Sequence, residues 1–216
     1  MTHGPTPAAP QATTTDIRQV TGCLDGWHRL ECRHAQTFSS PVSNHPFPLD
    51  SASVEHAIDA MAASVAAELD TDVPTVVIGI RRGGAAIARR LAAELHRRHP
   101  LEADAPGELN IAFYRDDFGS RGLHPVVGPS SVTFDIDNRQ VVLVDDVLSS
   151  GRTVRAALNE IFDFGRPARV LLAVLVERKG HELPIRADVA HWQVALEKHE
   201  NVALDPDTLA IEIVTR

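Results

Sequence analysis

The chain has 216 residues, 44% of them hydrophobic and 5% aromatic, with a formal net charge of −8 at pH 7. That content suffices for one sizeable core packed mainly by Val, Ile, Leu and Ala, and the acidic balance argues against indiscriminate nucleic-acid binding while leaving room for a local basic face. No apolar run approaches the roughly 20 residues of a membrane-spanning helix, and the N-terminus has no basic stretch leading into an apolar one, so no membrane association and a cytoplasmic location are expected.

Residues 1–48 are rich in Pro, Thr, Ser, Gln and His, with little apolar periodicity. Such a segment buries too little apolar surface to offset its ordering entropy. A disordered N-terminal extension is predicted there, followed by a single domain over 49–216. Cys23 and Cys32 lie in the extension near His28 and His34. Their spacing fits no standard zinc finger and no apolar framework surrounds them.

From Asp50, a capping residue, a helix is predicted with Val54, Ile58, Met61, Val65 and Leu69 on one face. Residues 75–80 read as a buried strand, broken by Arg81-Arg82-Gly83-Gly84. A second helix follows with Ile87, Leu91 and Leu95 inward. Its Arg89, Arg90, Arg97 and Arg98 read more readily as a solvated face than as a ligand site. Strands are predicted at 109–114, 132–136 and 141–144, with a polar Gly- and Pro-containing loop over 116–131. A helix over 152–164 carries Val154, Leu158, Ile161 and Phe162. A strand at 168–177 and shorter ones near 192–196 and 209–214 complete the chain. Strand–helix alternation implies an α/β fold with a mainly parallel sheet flanked by helices.

The richest chemistry lies in Val141-Val142-Leu143-Val144-Asp145-Asp146-Val147-Leu148-Ser149-Ser150-Gly151-Arg152-Thr153. Apolar β-formers deliver the chain to a strand's carboxyl end, where open α/β sheets place ligands. Two carboxylates follow, then a small-residue turn that opens a helix. Small side chains let backbone N–H groups converge on a phosphate, and the helix N-terminus adds partial positive charge. The absence of Gly-Lys-Ser/Thr excludes a P-loop for a triphosphate. Carboxylates ahead of a phosphate cup suit two neighbouring sugar hydroxyls, or Mg²⁺ held through water. Together these describe a site for a ribose 5-phosphate. The alternative, an ordinary strand-to-helix turn capped by acids, needs the whole thirteen-residue pattern to arise by accident.

This segment resembles the phosphoribosyl pyrophosphate (PRPP) signature of type I phosphoribosyltransferases. Asn110 to Asp117, Asp163-Phe164-Gly165-Arg166-Pro167-Ala168 and Glu182-Leu183-Pro184-Ile185-Arg186-Ala187-Asp188 extend the likeness to the PyrR family over about residues 49–214. The resemblance implies the type I fold, a parallel sheet with a flexible loop and a small hood. It implies a uracil phosphoribosyltransferase that makes UMP and pyrophosphate, and a regulator that senses UMP or UTP and binds pyrimidine-operon mRNA. An RNA-binding attenuation regulator with little catalysis remains the alternative. By the same resemblance Asp145 and Asp146 bind the ribose hydroxyls and Mg²⁺, and Val147, Leu148, Ser149, Ser150, Gly151, Arg152 and Thr153 cradle the 5-phosphate. Arg81, Arg82, Gly83 and Gly84 form the pyrophosphate loop, and Arg115 reaches the diphosphate from the flexible loop or else pairs with Asp116 or Asp117. Arg178 and Val202 face the nucleotide, with a salt bridge to Glu177 or Glu182 the other reading of Arg178. His181 and Arg186 contact RNA on a basic surface, and a homo-oligomer, dimeric or higher, is implied. The chain departs from the family at Arg178-Lys179-Gly180-His181, after Asp188, and at Gly83, where many members carry Arg.

Overall fold

A computed structural model describes residues 47–103, 105–111, 129–197 and 199–215. Residues 1–46 of the predicted extension, with its cysteines and histidines, lie outside the described residues, as do Arg115 and most of the 116–131 loop.

The elements run α1 (Ser51–Glu68), β1 (Thr75–Ile80), α2 (Gly83–His96), β2 (Gly107–Leu109), β3 (Gln140–Leu148), α3 (Arg152–Phe164), β4 (Arg169–Arg178), β5 (Val189–Val194), β6 (Glu200–Leu204) and β7 (Ile211–Thr215). Asp50 starts α1 by accepting the Ser53 N–H at 2.9 Å, satisfying one of the amides that a helix start leaves open. Val54, Ile58, Met61 and Val65 then form its buried face.

Five strands form a sheet in the order β2-β1-β3-β4-β5, and every neighbouring pair is parallel. Both faces are covered, which explains why β1 is buried along its whole length. Alternation of side chains sends Val77, Val142, Val144, Leu171, Ala173 and Leu175 into the core beneath α1 and α2. It sends Val76, Ile78, Ile80, Val141, Leu143, Leu172 and Val174 into the core beneath α3. From β1 the chain passes through α2 to β2 on one side, then returns to β3 on the other. The strand order therefore reverses between β1 and β3, and the crevice outside their carboxyl ends is where open α/β sheets bind ligands.

At the opposite end of the sheet Gln140 satisfies a buried polar knot. Its Nε2 donates to the Asp70 carbonyl at 2.8 Å and its Oε1 accepts from the Asp70 N–H at 3.0 Å. β6 and β7 form a separate antiparallel pair, from Glu200 opposite Thr215 to Leu204 opposite Ile211. Leu49 and Ile211 exchange backbone hydrogen bonds of 2.8 and 3.0 Å, which ties the start of the domain to β7. Among the described residues no helix is long and apolar enough to cross a membrane.

Three expectations are corrected. The strand expected at 109–114 begins earlier, at Gly107, as β2, which closes at Leu109; Asn110 and Ile111 lie outside it, and residues 112–114 fall outside the described residues. Residues 132–136 form no strand: among the described residues their segment touches the sheet edge through one bridge, Ser131 to Glu108. Asp135 then bends the chain by accepting the Asp137 N–H at 2.9 Å. Phe162 does not share the buried face of α3; it is exposed, with the Arg166 guanidinium 5.9 Å above its ring.

Candidate functional site

β1 accompanies β3 only as far as Val144, whereas β4 continues beside it to Leu148. The strand therefore runs through both acids instead of ending before them. Consecutive side chains of a strand leave opposite faces. Asp145 falls in step with Val141 and Leu143 on the α3 side and is buried, while Asp146 lies on the α2 side and is half-buried. Each carboxylate takes the next backbone amide: Asp146 N donates to Asp145 Oδ1 at 3.0 Å, and Val147 N to Asp146 Oδ1 at 2.9 Å.

The Arg81–Gly84 turn rests directly on this strand end. Gly83 and Gly84 are the first two residues of α2, so the glycines open the helix where a break before it was expected. A Cβ on Gly84 would lie 2.9 Å from Asp145 Cα, and one on Gly83 would lie 2.6 Å from Asp146 Cγ. Neither distance leaves room for a side chain, so both glycines are set by close approach. Glycine at 83 is what admits the Asp146 carboxylate. The Arg81–Arg82 peptide bond is cis. Arg81 Nε lies 3.2 Å from Glu108 Oε2, and the other oxygen of that carboxylate lies 2.7 Å from Arg89 NH1. Arg82 is exposed and makes no ion pair among the described residues. The outer arginines of α2 pair with Glu108, Glu55 and Glu94, as a solvated face does.

After Leu148 the chain turns through Ser149, Ser150 and Gly151, whose φ of +88° is the left-handed conformation open to glycine. α3 begins at Arg152 with no side-chain hydrogen bond from its N-cap residue. A wall made by residues 181–185 backs this turn. His181 Nδ1 lies 2.6 Å from the Ser149 carbonyl oxygen. Glu182 N and Leu183 N both donate to the Ser150 carbonyl, at 3.2 and 3.0 Å. Arg152 Nε donates to Glu182 Oε2 at 2.9 Å. A Cβ on Gly151 would meet Leu183 Cβ at 3.2 Å and Ile185 Cβ at 3.4 Å.

The remaining expected residues are placed as follows. Arg178 ends β4 and donates to the Glu197 carbonyl at 2.8 Å and to Asn201 Oδ1 at 3.4 Å. It therefore anchors the β6 hairpin, where a salt bridge to Glu177 or Glu182 was the other reading. Val202 sits half-buried in β6 opposite Ile213. His181, expected on an RNA surface, has both ring nitrogens engaged within the chain: Nε2 lies 3.2 Å from Glu177 Oε1. Arg186 is exposed and without an ion pair among the described residues, and so is Lys179. A cavity of about 470 Å³ lined by Asp50, Ser53, His56, His191 and Trp192 contains none of the expected residues.

Sequence reasoning missed the burial of two acids, one of which, Glu177, it offered only as a partner for Arg178. Glu177, at the end of β4, accepts from Gln193 Nε2 at 3.1 Å and anchors His181. Glu160 on α3 is 8% exposed, contacts Ser130 Oγ, and leaves its other oxygen without a hydrogen bond. Ser130 Oγ in turn accepts the Asn110 N–H at 2.7 Å, so this acid pins both roots of the 112–128 segment. Burial pushes the Glu160 carboxyl above its ordinary range. A folded-state pKa above the unfolded one contributes stability that is present below the unfolded value and lost as pH rises through the folded value. Glu160→Gln removes only the charge. Its melting temperature should gain on the native chain's as pH rises from about 4.5 toward neutrality, and parallel curves would show that the buried charge is not felt.

A sequence profile described as the phosphoribosyl transferase domain matches residues 49–205. The "Bifunctional protein PyrR" of Nitrosococcus oceani is 53% identical over 148 residues, covering 68% of this chain and 81% of that protein. The protein of the same name from Pseudomonas entomophila is 53% identical over 136 residues, covering 62% and 76%. Among solved structures, a hypoxanthine phosphoribosyltransferase of Trypanosoma cruzi superposes with a TM-score of 0.55 at 17% identity, covering 80% of this chain and 91% of that one. A Leishmania tarentolae counterpart gives 0.51 at 18% identity, covering 72% and 84%. The reversal of strand order, the strand that runs on through two acids and the backed turn at α3 thus belong to a known lineage: the chain is a member of the phosphoribosyltransferase family, of its PyrR group.

Proposed function

We propose that residues 49–216 transfer ribose 5-phosphate from PRPP to uracil, giving UMP and pyrophosphate, and that the same pocket senses pyrimidine nucleotides to regulate pyrimidine biosynthesis genes. One observation carries the reading. The Arg81–Gly84 turn, the Asp145–Asp146 pair and the turn into α3 meet at the carboxyl ends of β1 and β3, where the strand order reverses.

Uracil N1 attacks the anomeric carbon, the new carbon–nitrogen bond forms, and the bond to the diphosphate oxygen breaks with its electron pair leaving on diphosphate. The N1 proton passes to solvent. A transition state with positive charge on the sugar needs fixed negative charge beside it and neutralisation of the leaving group, and no nucleophilic side chain. Asp145 and Asp146 supply the first while orienting the ribose hydroxyls. Arg82, which has no ion pair among the described residues, supplies the second with Arg81. Amides at the start of α3 take the 5-phosphate.

Asp146, half-buried beside the Arg81–Gly84 turn, and Asp145, whose side chain leaves the other face of the strand, are the residues that would hold a Mg²⁺ ion, through water. Such an ion, when bound, neutralises the departing diphosphate. Exposed Lys179 and Arg186 flank the wall behind the cup and support an RNA-facing surface. In the family that surface spans a dimer, so the regulatory role goes with self-association.

A panel of bases with PRPP and Mg²⁺ tests the assignment. Uracil should yield UMP well above hypoxanthine, guanine and orotate; turnover of another base with none of uracil overturns the specificity. In the same preparation, UMP should strengthen salt-sensitive binding to a pyrimidine-operon hairpin. Equal affinity for a scrambled hairpin, with and without UMP, removes the regulatory half.

A further inference from the structure

The phosphate cup is shaped from behind. In a planar trans peptide the carbonyl and the amide hydrogen of the next residue point in opposite directions. Pinning the Ser149 carbonyl therefore aims the Ser150 N–H, and pinning the Ser150 carbonyl aims the Gly151 N–H. His181 Nδ1 holds the first at 2.6 Å, and the Glu182 and Leu183 amides hold the second. The Ser150 and Gly151 amides themselves donate to no described residue. A carbonyl only accepts, so Nδ1 of His181 carries the hydrogen. Its Nε2 faces Glu177 Oε1 at 3.2 Å, and Glu177 is fixed by Gln193 Nε2 at 3.1 Å. The ring thus sits between the end of β4 and the cup, hydrogen-bonded to the Ser149 carbonyl through Nδ1 and, when Nε2 also carries a hydrogen, to Glu177 through Nε2.

We propose that His181 is a positioning residue for the 5-phosphate: it presents the Ser150 and Gly151 amides to the ligand by holding the Ser149 carbonyl, with Glu177 setting its ring. The proposal rests on the PRPP reading above and adds a residue whose family position is otherwise read as an RNA contact. His181 touches neither the reacting atoms nor the phosphate. Its removal weakens what the phosphate contributes to binding and leaves the base alone.

Three substitutions separate the two nitrogens. Asparagine places its amide nitrogen near the Nδ1 position and keeps the bond to Ser149. Glutamine reaches the Nε2 position and keeps only the contact with Glu177. Alanine removes both. The measurement is affinity for UMP against uridine by calorimetry, with steady-state KM for PRPP and for uracil. His181→Ala is expected to lower the UMP-over-uridine preference and raise the PRPP KM by roughly 5- to 10-fold, the worth of one hydrogen bond, with the uracil KM within about twofold of native. His181→Asn should recover most of that preference and His181→Gln should not, while Arg97→Ala, an exposed change just past the end of α2, leaves it unchanged.

The proposal is overturned if folded His181→Ala keeps the native preference, if asparagine and glutamine behave alike, or if both KM values drift together. A native protein that binds neither PRPP nor UMP defeats the functional reading itself. A native protein that binds both, beside an unaffected alanine variant, defeats this inference alone.

Discussion

Replacing Asp145 and Asp146 together by asparagine is expected to lower kcat/KM for PRPP by at least about 100-fold, the scale seen when a preorganised electrostatic group is lost from an active site. Asparagine preserves volume and most hydrogen-bonding capacity, so the change isolates the charge. The single variants should differ. Asp146 faces the Arg81–Gly84 turn and is half-buried, so its neutralisation acts mainly on ligand binding. Asp145 is 4% exposed and its Oδ1 receives the Asp146 N–H. Its neutralisation disturbs the strand end as well, and should lower the melting temperature along with turnover. The readouts are PRPP binding by calorimetry and UMP formation, with circular dichroism to establish folding. Unchanged binding and turnover in the folded double variant would remove the acid pair from the site.

Gly84→Ala is the second large effect. The added Cβ would meet the Val144 carbonyl oxygen and would lie 2.9 Å from Asp145 Cα, both backbone atoms of a strand held by neighbours on its other edge. Backbone cannot rotate out of the way, so α2 must lift from β3. A destabilisation of about 3 kcal/mol is expected, with loss of PRPP turnover as the turn leaves the strand end. Gly83→Ala is the informative contrast. There the new methyl meets the Asp146 carboxylate, a side chain that can swing. Stability should fall less than in Gly84→Ala while activity falls comparably, because the displaced carboxylate is the one proposed to bind the ligand. Equal melting temperatures for Gly84→Ala and the native chain would contradict the close approach of α2 to β3.

How far the sequence spoke depended on how local each cause was. Asp50 followed by Val54, Ile58, Met61 and Val65 marks α1 because a cap and a period of 3.6 act within one helix. β1 is legible because burial on both faces leaves a run of apolar residues. The extension of β3 through Asp145 and Asp146 was not legible: aspartate disfavours strands, and the strand persists there because β4, far along the chain, still pairs with it. Val132, Phe134 and Ile136 alternate as a strand would and do pack on the core. Among the described residues no second strand runs beside them beyond Ser131. β6 hid because none of its residues is fully buried. In the site, the acids and the small-residue turn were visible as a contiguous pattern. The wall was not, since His181 meets Ser149 across 32 residues. The resemblance put that histidine on an RNA surface, and nothing local in the sequence aims it at Ser149.

Glu108 is gripped by two arginines at once, Arg81 on one oxygen and Arg89 on the other. A carboxylate stripped of its sole cation resists giving it up, because the anion left behind must be rehydrated or neutralised. Here a standby partner is already seated. On the proposed function, a diphosphate that drew Arg81 away would leave Arg89 on Glu108, so the guanidinium could change allegiance without stranding the acid that held it in reserve.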